Sequence, residues 1–212
     1  MVTKLELGDK VFQWLVEIDE ETCREVAAQG CAHCGGPLHR GDYPRKPRGL
    51  VGLAMEVYSR RISLCCGRRG CRRRATPPSV RFLGRRVYLS VAVLLASALL
   101  CLEVAKEDRR APEIPRRTVR RWVSWWQSEF PRSPLFQEQR GRFVPPLCTA
   151  TLPASLMARW EQGDRSPQEV VVRTLCFLSP LSTGSVRGGG ALHEVPMSAR
   201  RRWHSRRRVL RL

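Results

Sequence analysis

Cys31-Ala32-His33-Cys34 and Cys66-Gly67-Arg68-Arg69-Gly70-Cys71 decide how this 212-residue chain is read. Thiolates at C-x2-C and C-x4-C spacing can close a tetrahedral Zn2+ site, each short loop supplying two ligands from one tight turn. Gly35-Gly36 lets the chain turn back after the first pair, and Gly67 and Gly70 do so inside the second. The thirty residues from Gly35 to Leu64 can hold two or three short strands. The expected ligands are Cys31, Cys34, Cys66 and Cys71. Four protein thiolates leave no open coordination position, so the zinc is read as structural. Cys65 remains the alternative to Cys66, because only one of two adjacent thiols can easily point at the ion. His39 stays open as a substitute ligand, and His33, between two ligands, is expected to face outward.

Outward from these pairs the chain is basic. No acidic residue occurs from Val57 to Leu102, while arginines cluster at Arg60-Arg61, Arg68-Arg69, Arg72 to Arg74 and Arg85-Arg86. The net charge is +19, and lysine occurs only at Lys4, Lys10, Lys46 and Lys106. Arginine binds phosphate and guanine edges bidentately, so the bias suits nucleic acid. A GC-rich genome would also raise the arginine-to-lysine ratio, but it does not explain the net charge. Residues 1–30 carry seven acids against three bases, which suggests a separate N-terminal segment.

Nine cysteines and an N-terminus with acids soon after Met1 suggest a reducing cytoplasm, not a disulfide framework or a secretory signal. The single cysteines Cys23, Cys101, Cys148 and Cys176 read as small buried hydrophobes. Val87 to Leu102 is uncharged and largely apolar, and its basic flank resembles that of a membrane anchor. It falls short of the roughly 20 residues a bilayer span needs, so a buried core helix is expected and no membrane partner.

The periodicities predict an α+β chain that is mostly helical. Residues 1–30 form a helical lead-in, with Phe12, Leu15, Val16 and Ile18 on one face and Asp19 capping a second helix that stops at Gly30. A zinc ribbon of short strands covers 31–80, with a basic loop at Asp42 to Gly49 and a strand-like run from Leu53 to Leu64. A helical DNA-binding region covers 81–131, and a proline-rich linker with C-terminal helices covers 132–181. Ser166-Pro167-Gln168-Glu169 is a capping box whose helix runs through Leu178 and packs on the tryptophan-rich helix. Residues 182–212 read as a disordered basic tail.

Ile114-Pro115-Arg116-Arg117-Thr118-Val119-Arg120-Arg121-Trp122 opens that tryptophan-rich helix. Val119, Trp122, Val123 and Trp126 share one face, which turns Arg116, Arg117, Arg120, Arg121 and Ser124 outward toward a major groove or phosphates. Arg68, Arg69, Arg72 and Arg73 would grip phosphates beside the metal. Together the cysteine pairs and this helix resemble the N-terminal DNA-binding portion of insertion-sequence transposases, where a zinc ribbon precedes a helix-turn-helix. Small companion proteins of mobile elements share the layout. The resemblance spans about residues 31–130. It implies double-stranded DNA as partner, a transposase or integrase as neighbour, and a role in transposition. One departure stands: a compact helix-turn-helix joins its helices by three or four residues, whereas Leu102 to Pro115 is longer.

A transposase catalytic domain needs three carboxylates holding two Mg2+ on an alternating strand–helix core. This chain has only five aspartates, Asp9, Asp19, Asp42, Asp108 and Asp164, and no such alternation. No GxxxxGK[ST], GxSxG or HExxH motif appears, so no enzyme is expected. Two other readings stay open. One is an RNA- or ribosome-associated zinc protein stacking Tyr43, Trp125 or Trp203 on bases. The other is a protein-interaction adaptor docking through its tryptophan-rich helix.

Overall fold

Helix α1 (Asp9–Gln29) is one uninterrupted helix and the axis on which the rest is assembled. It stops where Gly30 takes a φ of +74°, a conformation an L side chain resists. The computed structural model describes residues 9–48, 55–83, 88–101, 114–161 and 165–184. The elements after α1 are β1 (Leu38–Arg40), β2 (Tyr43–Pro44), a single helical turn α2 (Met55–Tyr58), β3 (Arg60–Arg61), β4 (Leu64–Cys66) and β5 (Arg74–Ala75). Five helices follow: α3 (Ser90–Cys101), α4 (Arg116–Ser128), α5 (Pro134–Gln139), α6 (Ala154–Trp160) and α7 (Pro167–Leu178). The fold is thus α+β and mostly helical, with short antiparallel strands.

Two sheets form in the first half. The larger has the order β1-β4-β5, with Leu38 opposite Cys66 and Leu64 opposite Ala75; the smaller pairs β2 with β3. Residues 55–58 make a helical turn where a strand was expected, and Val57 is 51% exposed while Tyr58 is buried. Ile62 and Leu64 are buried as the alternation predicts. Residues 53 and 54 of that run lie outside the described residues.

Helix α1 is shared between two cores. Val11, Phe12, Leu15 and Ile18 of α1 enter the large helical core, and Cys23 and Val26, further along, meet Ile62 and Leu64 in a second small cluster. Asp19 does not cap a helix; it is buried at mid-helix. Its carboxylate accepts from the Ser79 hydroxyl at 2.6 Å, the Val80 N–H at 2.7 Å and Arg81 Nε at 2.7 Å. Arg81 also donates to the Val57 carbonyl at 2.9 Å, and its guanidinium lies over the Tyr58 and Phe82 rings. Tyr58 in turn donates its hydroxyl proton to the Phe12 carbonyl at 2.7 Å. A buried ion pair with every oxygen engaged therefore binds α1, the 79–82 strap and α2 into one body.

Helix α3 lies centrally, packed against α4, α6 and α7. No helix among the described residues is long and apolar enough to cross a membrane. Helix α4 buries Val119, Trp122 and Trp126, and leaves Val123 only half-buried. Trp126, Phe130 and Phe136 continue as an edge-to-face aromatic run. The stretch 131–152 is more ordered than its prolines suggest. Pro131 opens a 3-10 turn and Pro134 opens α5, where Ser133 caps the helix by accepting from the Phe136 N–H. The capping box at Ser166 and Glu169 forms as expected, but α7 packs against α1, α3 and α6.

The described residues run two past the expected tail boundary and are bonded to the rest of the fold. Ser182 Oγ accepts from the Ser79 N–H at 2.8 Å, and Thr183 donates to the Thr76 carbonyl at 2.8 Å. The rest of the expected tail, from residue 185 on, lies outside the described residues. Among the single cysteines, Cys23 and Cys176 are buried, Cys101 is half-buried and Cys148 is exposed, so burial does not explain all four.

Candidate metal centre and basic surfaces

The sheet brings the two cysteine loops together. Cys31 and Cys34 follow the end of α1, Cys66 ends β4, and Cys71 lies in the turn between β4 and β5. Their sulfurs all lie within 4.8 Å of one another. Cys31 Sγ is 3.8 Å from Cys71 Sγ, and Cys34 Sγ is 3.5 Å from Cys66 Sγ. Four sulfurs each about 2.3 Å from one ion stand about 3.8 Å apart on the edges of a tetrahedron. The cluster is therefore dimensioned to hold a metal ion.

Backbone amides converge on the same sulfurs. Those of His33, Gly36, Arg68 and Arg73, each two residues after a cysteine, donate to Cys31, Cys34, Cys66 and Cys71 respectively. Such donors favour thiolate over thiol. The Gly36 amide, with help from neighbouring thiols, holds Cys34 down to about 6. Cys66 behaves oppositely: the Arg68 amide lowers it, but burial and the adjoining cysteines win and push it up to about 12. Four thiols this close do not all ionise alone; a cation at their centre removes that conflict.

Gly36 shows how tightly the loops close. A Cβ there would stand 3.1 Å from Arg68 Cβ, 3.2 Å from Cys66 Sγ and 3.3 Å from Cys34 Sγ. Cys65 points elsewhere: its thiol donates to the Arg72 carbonyl at 3.4 Å. His33 is exposed, and His39, opposite Cys65 in the sheet, lies over Gly67 and outside the sulfur cluster.

The arginines sort by their partners. Arg40 is held by Glu20 and Asp42, Arg81 by Asp19, and the buried Arg61 by the Ile62 and Pro77 carbonyls. Arg68 is exposed but braces the metal loops, donating to the Cys34 carbonyl at 2.9 Å. Arg69, Arg72 and Arg73 are exposed beside it and pair with no carboxylate among the described residues. The same holds for Arg116, Arg117, Arg120 and Arg121, which occupy the exposed face of α4. The two arginine groups belong to separate elements, one on the metal loop and one on α4.

Three further cations, noted in the sequence but given no binding role there, are exposed on the β2–β3 side of the molecule: Lys46, Arg48 and Arg60. The signal for Lys46 and Arg48 was the basic loop, and for Arg60 the Arg60-Arg61 pair. Comparison with protein-family models, curated proteins and solved structures found no match.

Proposed function

We propose that this chain is a non-enzymatic, zinc-dependent DNA-binding protein in which a zinc ribbon supports the placement of α4 on duplex DNA. The observation that carries the reading is a row of cations with no counter-charge among the described residues. Arg116, Arg117, Arg120 and Arg121 line the solvent side of a helix whose other side is anchored by Val119, Trp122 and Trp126. Long guanidinium side chains on a rigid helix can reach base edges and phosphates together. Arg69, Arg72 and Arg73 would hold phosphate from the metal loop, with Arg68 sharing its charge between that role and Cys34. Zinc is the ion of choice because four thiolates in tetrahedral array suit it; iron shares that preference and is separated from it by metal analysis. The setting, an accessory or truncated transposase-like protein of a bacterial mobile element acting beside a transposase or integrase in the cytoplasm, rests on the resemblance alone.

The described residues favour this reading over its two rivals. A docking helix needs free tryptophans, yet Trp122 and Trp126 are buried in the chain's own core and Trp125 is half-buried against Trp126 and Phe130. Base stacking needs open rings, yet Arg74 lies over Tyr43; Trp203 is outside the described residues. Of the carboxylates a nuclease centre would use, Asp19 and Asp42 are already engaged by Arg81 and Arg40.

The test is selection from random duplexes by wild type and by an Arg117→Ala, Arg121→Ala variant. Wild type should enrich a motif that the variant enriches weakly, each lost bidentate base contact costing about 1–3 kcal/mol. Equal enrichment by both would remove α4 as the reading element.

A further inference from the structure

Residues Pro44 to Arg48 form a cationic strap beside α4. Their burial alternates: Pro44, Lys46 and Arg48 are exposed, while Arg45 and Pro47 are half-buried. That period of two is the mark of extended chain laid against a surface. The strap is fixed at both ends. Pro44 pairs with Arg60, and the Arg45 N–H donates to the Ser59 carbonyl. At the other end the Leu89 N–H donates to the Arg48 carbonyl at 3.1 Å, and Arg48 bridges to Tyr88. Between them the Arg45 guanidinium lies 5.4 Å over the Phe82 ring, which turns that charge inward. Two prolines in five residues restrict the backbone further.

Tyr88 connects the strap to the helix. Its ring meets Trp122 of α4 edge to face at 4.9 Å. A single residue therefore separates Arg48 from the helix that carries Arg117 and Arg121. Opposite Pro44, Arg60 adds another exposed cation. None of Lys46, Arg48 and Arg60 pairs with a carboxylate among the described residues, unlike Arg40 in β1.

We infer that Lys46 and Arg48, with Arg60 beside them, are a phosphate-binding strap that holds duplex DNA next to α4. Arg48 reaches outward from a backbone already spent on Leu89, so its side chain is free to meet phosphate without loosening the fold. Extended chain sets the Cα atoms of Lys46 and Arg48 about 6.6 Å apart, and their two long side chains contact different phosphates. Such contacts position the duplex and carry no sequence information. The inference rests on the DNA-binding reading above and adds to it a second element, distinct from α4 and from the metal loop.

The experiment measures binding of the full, metal-loaded chain to its selected duplex and to a random duplex across a salt series. The variants are Lys46→Ala, Arg48→Ala together and Arg117→Ala, Arg121→Ala together. The strap variant should weaken both duplexes by the same factor, and its log–log salt slope should fall by about two units, near 0.9 per lost contact. The α4 variant should instead lose the difference between the duplexes. Restoring charge with Lys46→Arg, Arg48→Lys should restore the slope. An unchanged slope in the strap variant, with wild type still binding, overturns the strap and leaves the function standing. A wild type that holds no duplex overturns the function, and the strap with it. Tighter retention of single-stranded RNA than of duplex by wild type does the same. Both alanine substitutions remove exposed side-chain atoms only, so the thermal transition should not move, and a shifted transition would overturn the assignment by exposing a structural role.

Discussion

The cysteine unit and the helical body are built on the same helix by opposite means. At the far end of α1 the sheet rests on four buried apolar side chains, Cys23, Val26, Ile62 and Leu64. At the near end, α1 enters a core that includes Trp122, Trp126, Phe130 and Phe136. Large aromatic side chains bury enough surface to hold helices unaided. Four small side chains do not, and units with so small a core usually need a metal or disulfides. The contrast teaches where each half would fail: the cysteine unit for want of a metal at its four sulfurs, the helical body for loss of packing. Between them stands the Asp19–Arg81 pair, which belongs to both.

The largest effect should come from the ion. Structural zinc binding contributes about 10–16 kcal/mol to small metal-folded units. Cys71→Ser, or a strong chelator, should release the metal and abolish amide-exchange protection in 38–40 and 64–66 while α3 and α7 keep theirs. Loss of protection in all four would break the comparison by showing that the metal holds the whole chain. The pH dependence has a definite sign. Binding needs thiolates, and without metal Cys66 retains its proton up to about 12. Metal uptake at neutral pH must therefore expel protons, and apparent affinity should rise with pH and fall in acid. Heats of zinc binding measured in buffers of different ionisation enthalpy will count those protons; no buffer dependence would mean the thiols are already ionised.

The pair at the junction comes next. Asp19 and Arg81 are 1% and 2% exposed, so Asp19→Ala leaves a guanidinium buried without its partner. Such losses cost about 3–5 kcal/mol, read as a lower denaturant midpoint. Replacing both, Asp19→Leu with Arg81→Met, should recover much of that. Failure of the double variant to recover would show that the Ser79 and Val80 contacts matter more than the charges.

The smallest effect sharpens the contrast from the other side. Ser166→Ala removes one half of the capping box and should cost about 1 kcal/mol. It should lower the thermal transition of the helical body without altering metal retention. A loss of metal would mean the two halves are less independent than their cores suggest.

Local signals were legible where local physics decides. The cysteine spacing, the Ser166–Glu169 box and the inward face of α4 all follow from residues a few positions apart, and all three appear. The failures are long-range. Asp19 before Glu20, Glu21 and Thr22 is a reasonable cap by sequence, but Arg81, sixty-two residues on, offers a buried partner no local rule contains. Val57 looked like a strand position because of its type, yet Tyr58 takes the buried place and its hydroxyl finds the Phe12 carbonyl. The proline-rich linker read from residue 132 contains a helix that a proline starts, because Pro134 sits in the first turn, where its missing N–H costs nothing. Cys66 over Cys65 was a choice of spacing; the sheet register, which sets Cys65 opposite His39, separates the two.

The bond from the Ser79 amide to Ser182 spans 103 residues, and it orders events in time. During synthesis the cysteine loops leave the ribosome first, and the metal can bind while the rest is still being made. At about 5–20 residues per second, some 5–20 s pass before Ser182 follows Ser79 into the open. Throughout that interval Val11, Phe12, Leu15 and Ile18 have no α7 to cover them. The nascent chain thus emerges with its first half finished at one end and sticky at the other, and its exposure to aggregation is set by how soon the last helix arrives.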